Sequence, residues 1–203
     1  MDMLTALSLL MAISIIGLSI WILIPQFLEG PKYSVEISEA KIELRQYDNF
    51  LITKVIMNGD QNEALRKGFG PLVGFIGAKG RSTEKISMTV PVMQKKTSSE
   101  KEWFVSFSMP SKYTMDNLPK PMSKNLKQEE VPTKLMAAIR FNGRATEERL
   151  LIKETELKDW INSNKFKVIS PAHYYFYNDP VTPGFFRRNE VLFEVTRNNH
   201  SKP

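Results

Sequence analysis

The chain opens on an uninterrupted apolar stretch, Leu4 to Ile24, with no charged residue in it. At ~1.5 Å of rise per residue a helix of that length reaches roughly 30 Å, the thickness of a bilayer's hydrocarbon core. Trp21 lies near its end, where an indole favours the interface, and Pro25 then stops the helix. A cleaved signal peptide would need a basic start, a shorter apolar core and a small-x-small site. Met1-Asp2-Met3 carries no Lys or Arg, and the residues after Ile24 offer no such site. The pattern predicts an uncleaved, single-pass membrane anchor at 4–24. Lys32, Lys41 and Arg45 follow the run and no Lys or Arg precedes it, so the positive-inside rule favours a cytoplasm-facing domain.

Beyond a short Pro/Gly-containing linker at 25–32 the periodicity changes to that of a folded domain, predicted over 33–197, with a polar, frayed tail at 198–203. Residues 33–37 and 42–47 alternate as half-buried strands, and Phe50 to Met57 is a more continuous, β-branched strand. Asn58-Gly59 breaks it. Asp60 then stands as an N-cap, with Glu63 in the capping-box position. Leu65, Phe69, Leu72 and Ile76 follow at helical spacing. Gly68, Gly70 and Pro71 are expected to kink or shorten this helix, and Gly77 to Gly80 to end it. Strands are predicted at 86–93 and 103–109, the first at an edge or bulge because of Pro91. Residues 110–132 read as a polar connection.

The second half repeats this order. A strand at 135–141 runs into Asn142-Gly143, about 84 residues after the first Asn-Gly. A helix follows over about 146–164, with Leu150, Leu157, Trp160 and Ile161 on one face, then strands at 168–177 and 190–196. Strand, Asn-Gly, helix, strand, strand, taken twice, implies an α+β domain of two pseudo-symmetric halves. They would form a curved, mainly antiparallel sheet, a distorted barrel with two packed helices. The cleft between the halves is a natural ligand site.

Composition narrows the chemistry. With no cysteine among 203 residues there is no disulfide, thiolate metal site or cysteine nucleophile. The net charge of +6 comes from Lys and Arg interspersed with Glu and Asp, with no basic stripe interleaved with aromatics, so no nucleic-acid partner is expected. The chain lacks HExxH, GxSxG, P-loop and dinucleotide signatures, and it has only two histidines. It reads as a binding protein, not an enzyme.

Three segments, in order, resemble the SOUL haem-binding family. They are ISMTVPV at Ile86 to Val92, Glu63-Ala64-Leu65-Arg66 opening the first helix with Pro71 further along it, and Tyr174-Tyr175 to Asp179-Pro180 followed by Arg187-Arg188-Asn189-Glu190-Val191. They span nearly the whole domain and leave out the N-terminal run. The resemblance implies a fold similar to the effector-binding domains of bacterial gyrase-inhibitor-like proteins. It also implies affinity for haem or a related tetrapyrrole, held on an apolar surface beside the first helix with basic side chains reaching the propionates.

Carried onto this sequence, the resemblance points to Leu65, Phe69, Leu72 and Val73 as the apolar wall and to Arg66 as the propionate partner. The stripe of Leu65, Phe69 and Leu72 is equally what a core face would show. The sequence departs from the family where a second basic residue of one branch falls on Gly74, for which Lys67 or Arg81 are the substitutes at hand. An axial iron ligand requires His, Met, Cys or Tyr. His200 is in the tail, and His173, grouped with Arg66 among the candidate cofactor-binding residues, begins a strand away from the place where the histidine-ligating branch puts its ligand. Met57, Met88, Met93 and Tyr175 are chemically competent. The expectation is weak or non-axial haem binding, for buffering or transfer at a membrane. The alternatives are an effector or sensor module using the cleft, and a membrane-tethered interaction protein.

Overall fold

The computed structural model describes residues 3, 5, 7–13, 17, 27–80, 82, 84–179 and 181–198. Between residues 33 and 197 the described residues form ten strands and two long helices: β1 (Tyr33–Glu39), β2 (Ile42–Tyr47), β3 (Phe50–Asn58), α1 (Gln61–Ile76), β4 (Val92–Lys96), β5 (Glu102–Ser108), β6 (Lys127–Val131), β7 (Lys134–Asn142), α2 (Glu147–Ser163), β8 (Phe166–Val168), β9 (His173–Phe176) and β10 (Arg188–Arg197). All strand pairs are antiparallel. They make one curled sheet in the order β1-β2-β7-β10-β9-β4-β5-β3-β6, with β8 beside β10. Outward from the β4–β9 seam the order is β5, β3, β6 on one side and β10, β7, β2 on the other. This is the curled antiparallel α+β architecture that the alternating pattern implies.

Both helices pack on one face of the sheet. The side chains of α1 at Leu72, Phe75 and Ile76 meet Leu51, Val55, Val105 and Phe107 of β3 and β5. Those of α2 at Leu150, Leu157 and Ile161 meet Ile139, Val191 and Phe193 of β7 and β10. The inner face has its own apolar cluster of Tyr47, Ile52, Met93, Met136, Tyr175 and Leu192, to which neither helix contributes. Period-two alternation puts one set of each strand's side chains on the helices and the other set on the inner face.

The two Asn-Gly breaks are turns, with Gly59 and Gly143 at φ 126° and 108°, a region open to glycine and strained for other residues. Thr146 caps α2 by accepting a hydrogen bond from the Arg149 N–H at 3.3 Å, whereas the Asp60 side chain makes no such bond at the start of α1. Helix α1 runs through Gly68, Gly70 and Pro71 to Ile76, so these residues do not shorten it.

Other elements also differ from the pattern. The strand expected at 86–93 begins only at Val92, after Pro91, which has no N–H to give to a ladder. Residues 168–177 are two strands, not one, separated by Ser170-Pro171. The polar connection contains β6, an edge strand whose charged residues pair with β3. Residues 29–32, read as a linker, are bound into the domain: Val90 N–H donates to the Glu29 carbonyl (2.9 Å), Asp48 N–H to the Lys32 carbonyl (3.0 Å), and Ser111 N–H to the Glu29 carboxylate (2.7 Å).

Among the described residues no helix is long and apolar enough to cross a membrane. Most of the 4–24 run, together with Arg81, His200 and the tail beyond Asn198, lies outside the described residues.

Candidate functional site

Helix α1 turns a different face inward than its Leu65-Phe69-Leu72-Ile76 stripe suggests. The buried row is Gln61, Ala64, Gly68, Leu72, Phe75 and Ile76. Gly68 allows this rotation, because a Cβ there would lie 2.7 Å from the Val105 Cβ. Leu72 is fully buried in the core and cannot touch a ligand, which corrects its assignment to a binding wall. Leu65 and Val73 are half-buried against the same cluster. Phe69 is half-exposed, its ring edge-on to Phe107 at 5.5 Å.

The opposite flank of α1 holds a groove of about 460 Å³. Its lining is Gly70, Pro71, Gly74 and Phe75 from the helix, Lys79 from the turn after it, and Met122, Ser123 and Leu126 from the connection between β5 and β6. None of the residues named for the apolar wall lines it.

Arg66, Gly70 and Gly74 stand four residues apart and therefore form one row along the helix, about 12 Å from first to last. Arg66 is exposed at the N-terminal end of that row. No atom comes within 4 Å of where a Cβ on Gly70 would lie. A Cβ on Gly74 would be 3.7 Å from the Lys79 Cδ. The row is thus bare helix backbone with a cation at each end. Among the described residues no carboxylate forms an ion pair with Arg66 or Lys79. Lys67, the proposed substitute for the base missing at Gly74, is instead paired with Glu63 at 2.8 Å. Lys79 fills that place, since its stem occupies the space a side chain at 74 would take. The Gly70–Gly74 spacing was legible in the sequence. The return of Lys79 beside it depends on how the Gly77–Gly80 turn folds.

His173 is not in this region. It is buried on the inner face of the sheet, opposite Lys95 across the β4–β9 pair, while α1 packs on the other face. That corrects its grouping with Arg66. Met93 and Tyr175 are also buried on the inner face, Met57 is half-buried and Met88 exposed. None of these four lines the groove, and the one thioether that does is Met122. Among the described residues no group of three His, Asp or Glu is placed to hold a metal ion.

The Arg187-Arg188-Asn189-Glu190 segment is structural. Arg187 Nε donates to the Thr182 carbonyl (2.7 Å) and Asn189 Nδ2 to the Gly143 carbonyl (2.8 Å). Glu190, fully buried, accepts from Arg45 through both oxygens (2.7 and 3.1 Å), from Arg188 (2.7 Å) and from the Tyr177 hydroxyl (2.8 Å). Burial pushes the Glu190 carboxyl up, but the Arg45 and Arg188 contacts outweigh it and hold the group below the usual carboxylate range.

The family model described as SOUL heme-binding protein matches residues 28–194. A comparison with curated proteins finds no match. Among solved structures, the EcmrR C-terminal domain superposes with a TM-score of 0.57 at 10% identity, covering 82% of this chain and 99% of that one. EcmrR in a DNA complex gives 0.57 at 13% identity over 77% and 57% of the two chains. A hydrolase from Listeria innocua gives 0.53 at 12% identity over 79% and 94%. At such identities the likeness is one of fold.

Proposed function

The chain belongs to the SOUL heme-binding protein family, and from that premise we propose that it binds haem or a related tetrapyrrole non-covalently against the bare row of α1. The observation that carries this reading is the groove of about 460 Å³ beside Gly70 and Gly74, with Arg66 and Lys79 at the two ends of the row. A flat aromatic ring needs close approach to an apolar surface. Gly70 gives it one without a side chain in the way, and beside Gly74 it meets only the aliphatic stem of Lys79. Propionate groups need cations that are not already engaged, and Arg66 and Lys79 supply them. The volume is within the range of small-molecule sites, and one side is open to solvent, as a carrier that must release its cargo requires. Bound haem would bring redox-active iron. What this chain's residues do is cradle the ring and neutralise its acids. No histidine lines the groove. That supports weak or non-axial binding, suited to buffering or transfer.

Haem titration of the folded domain tests this. A saturable change in the Soret band at about micromolar haem is expected. Gly70→Leu fills the groove from an open, exposed position, so it leaves the melting temperature unchanged or higher while weakening binding by about tenfold or more. Arg66→Ala and Lys79→Ala each weaken it severalfold. An unchanged spectrum, or a Gly70→Leu variant that responds like the parent, sinks the reading.

We further propose that the domain works at a membrane surface, because residues 4–24 hold no charge over a bilayer's span. Of the three cations used for orientation, Arg45 is buried against Glu190, so Lys32 and Lys41 carry the cytoplasm-facing argument. The full chain should stay in the pellet after alkaline carbonate washing of membranes, and a chain starting at 28 should not. Release of the full chain into the wash would remove the anchor.

A further inference from the structure

The inner face of the sheet holds a second cavity, of about 190 Å³, which shares no lining residue with the groove on α1. Met93, Phe104 and Val131 give it an apolar floor, and Lys54, Lys95, Lys134 and His173 approach it with polar ends. His173 is only 8% exposed, and its Nε2 is buried without a hydrogen-bond partner. Buried polar nitrogens are nearly always satisfied, so an unpartnered one on a residue that lines a cavity is an unmet demand for a polar atom there.

The charges around it do not balance. Lys134 reaches Glu194 at 3.9 Å, and Lys54 is paired with Glu129. Lys95, directly opposite His173 in the β4–β9 register, forms no ion pair with any described carboxylate, and its ammonium hangs 6.0 Å from the Phe104 ring centroid. Three ammonium groups thus face two carboxylates, and the unmatched one stands beside the unmatched nitrogen. The carboxylates that could attract a cation are already engaged: Glu129 by Lys54, Glu194 by Lys134, and the buried Glu190 by Arg45, Arg188 and Tyr177.

We propose that this cavity binds a small organic acid, its carboxylate between the Lys95 ammonium and the His173 Nε2–H and its apolar body on Met93, Phe104 and Val131. The volume is below the usual range for drug-sized ligands, so the acid is compact, of single-ring size, and a tetrapyrrole is excluded from it. Burial, then the nearby Lys134 and Lys95, push the His173 imidazole down to about 3. It is therefore a neutral imidazole at ordinary pH, the proposed contact requires the tautomer with its proton on Nε2, and the charge attraction comes from the lysines.

The test uses the full chain in detergent micelles and three probes of one shape: phenylacetate, the neutral phenylacetamide and the cationic phenethylamine. With His200→Ala in the background, His173 gives the one histidine ring signal. Phenylacetate should move that signal saturably and bind at least about tenfold tighter than either analogue. Lys95→Met, a half-exposed site that keeps its aliphatic stem, should erase the preference without shifting the melting temperature or the haem titration. Equal binding of acid and amide, full selectivity in Lys95→Met, or no saturable shift up to ~10 mM acid would overturn the assignment.

Discussion

Glu190→Gln should lower the unfolding free energy by about 3–5 kcal/mol at neutral pH, the usual result of stripping one partner from a buried ion pair. The glutamine keeps the shape and removes the charge. Arg45, 2% exposed and stacked 4.5 Å from the Tyr33 ring centroid, then keeps only one carboxylate contact, from its Nε to Glu43 at 2.7 Å, and Arg188 loses its carboxylate as well. Denaturant titration at several pH values identifies the cause. Glu190 is held below the ordinary carboxylate value of 4.5 in the folded protein. Its contribution is therefore complete above the unfolded-state value and fades as pH falls through the lower folded one. The stability gap between parent and variant should be widest at neutral pH and narrow below about 4.5. A gap that stays constant down to acid pH would mean that the loss came from packing and not from charge. Arg45→Met combined with Glu190→Leu should recover part of the loss, since the two most deeply buried charges go together and only the more exposed Arg188 is left without its carboxylate.

Gly68→Val should cost about 2–3 kcal/mol, by wedging α1 away from the sheet. The glycine is where the helix approaches β5 most closely: an added Cβ would sit 2.7 and 2.8 Å from Val105 Cβ and Cγ2. Val105 is fully buried on a central strand and has no room to retreat. Replacing glycine in a helix normally gains something under 1 kcal/mol, too little to offset the clash. The companion variant Val105→Ala relieves it. The double mutant Gly68→Val/Val105→Ala should be more stable than the two single losses added together, and thermal melts of the four proteins measure that coupling. Simple additivity would show that the two residues do not press on each other. The contrast with Gly70, two positions on, is sharp. There a side chain meets open space, so the fold tolerates it and the groove is lost.

Strand positions were the most legible part of the fold. Residues 42–47 and 50–57 alternate or carry β-branched runs, and they are β2 and most of β3. Where the pattern misled, a local feature overrode it. Pro91 and Pro171 delay or divide strands that are apolar enough to continue. Edge strand β6 has the sequence KQEEV, which carries no alternation because its neighbour, not a core, holds it. Helix α1 is the instructive case. Its largest apolar residues suggested one inward face, but burial followed the smallest residue, Gly68, since backbone proximity to β5 decided the rotation. The candidate site inherits that difference. Arg66 kept a place at the end of the bare row, Leu72 went into the core, and His173 went to the other side of the sheet. Which lysine comes back to Gly74 depends on a turn whose path no residue pattern spells out.

The sheet order also governs how the molecule is assembled. Strand β2 does not pair with β3, which follows it, but with β7, so Ile42 waits for Ile139. The hairpin of β1 and β2 therefore leaves the ribosome with one side unpaired, and stays so until nearly a hundred further residues have been made. Such distant pairing makes the closing step slow compared with local structure. During synthesis, the first strands of this protein should be protected against proteolysis only after β7 has emerged.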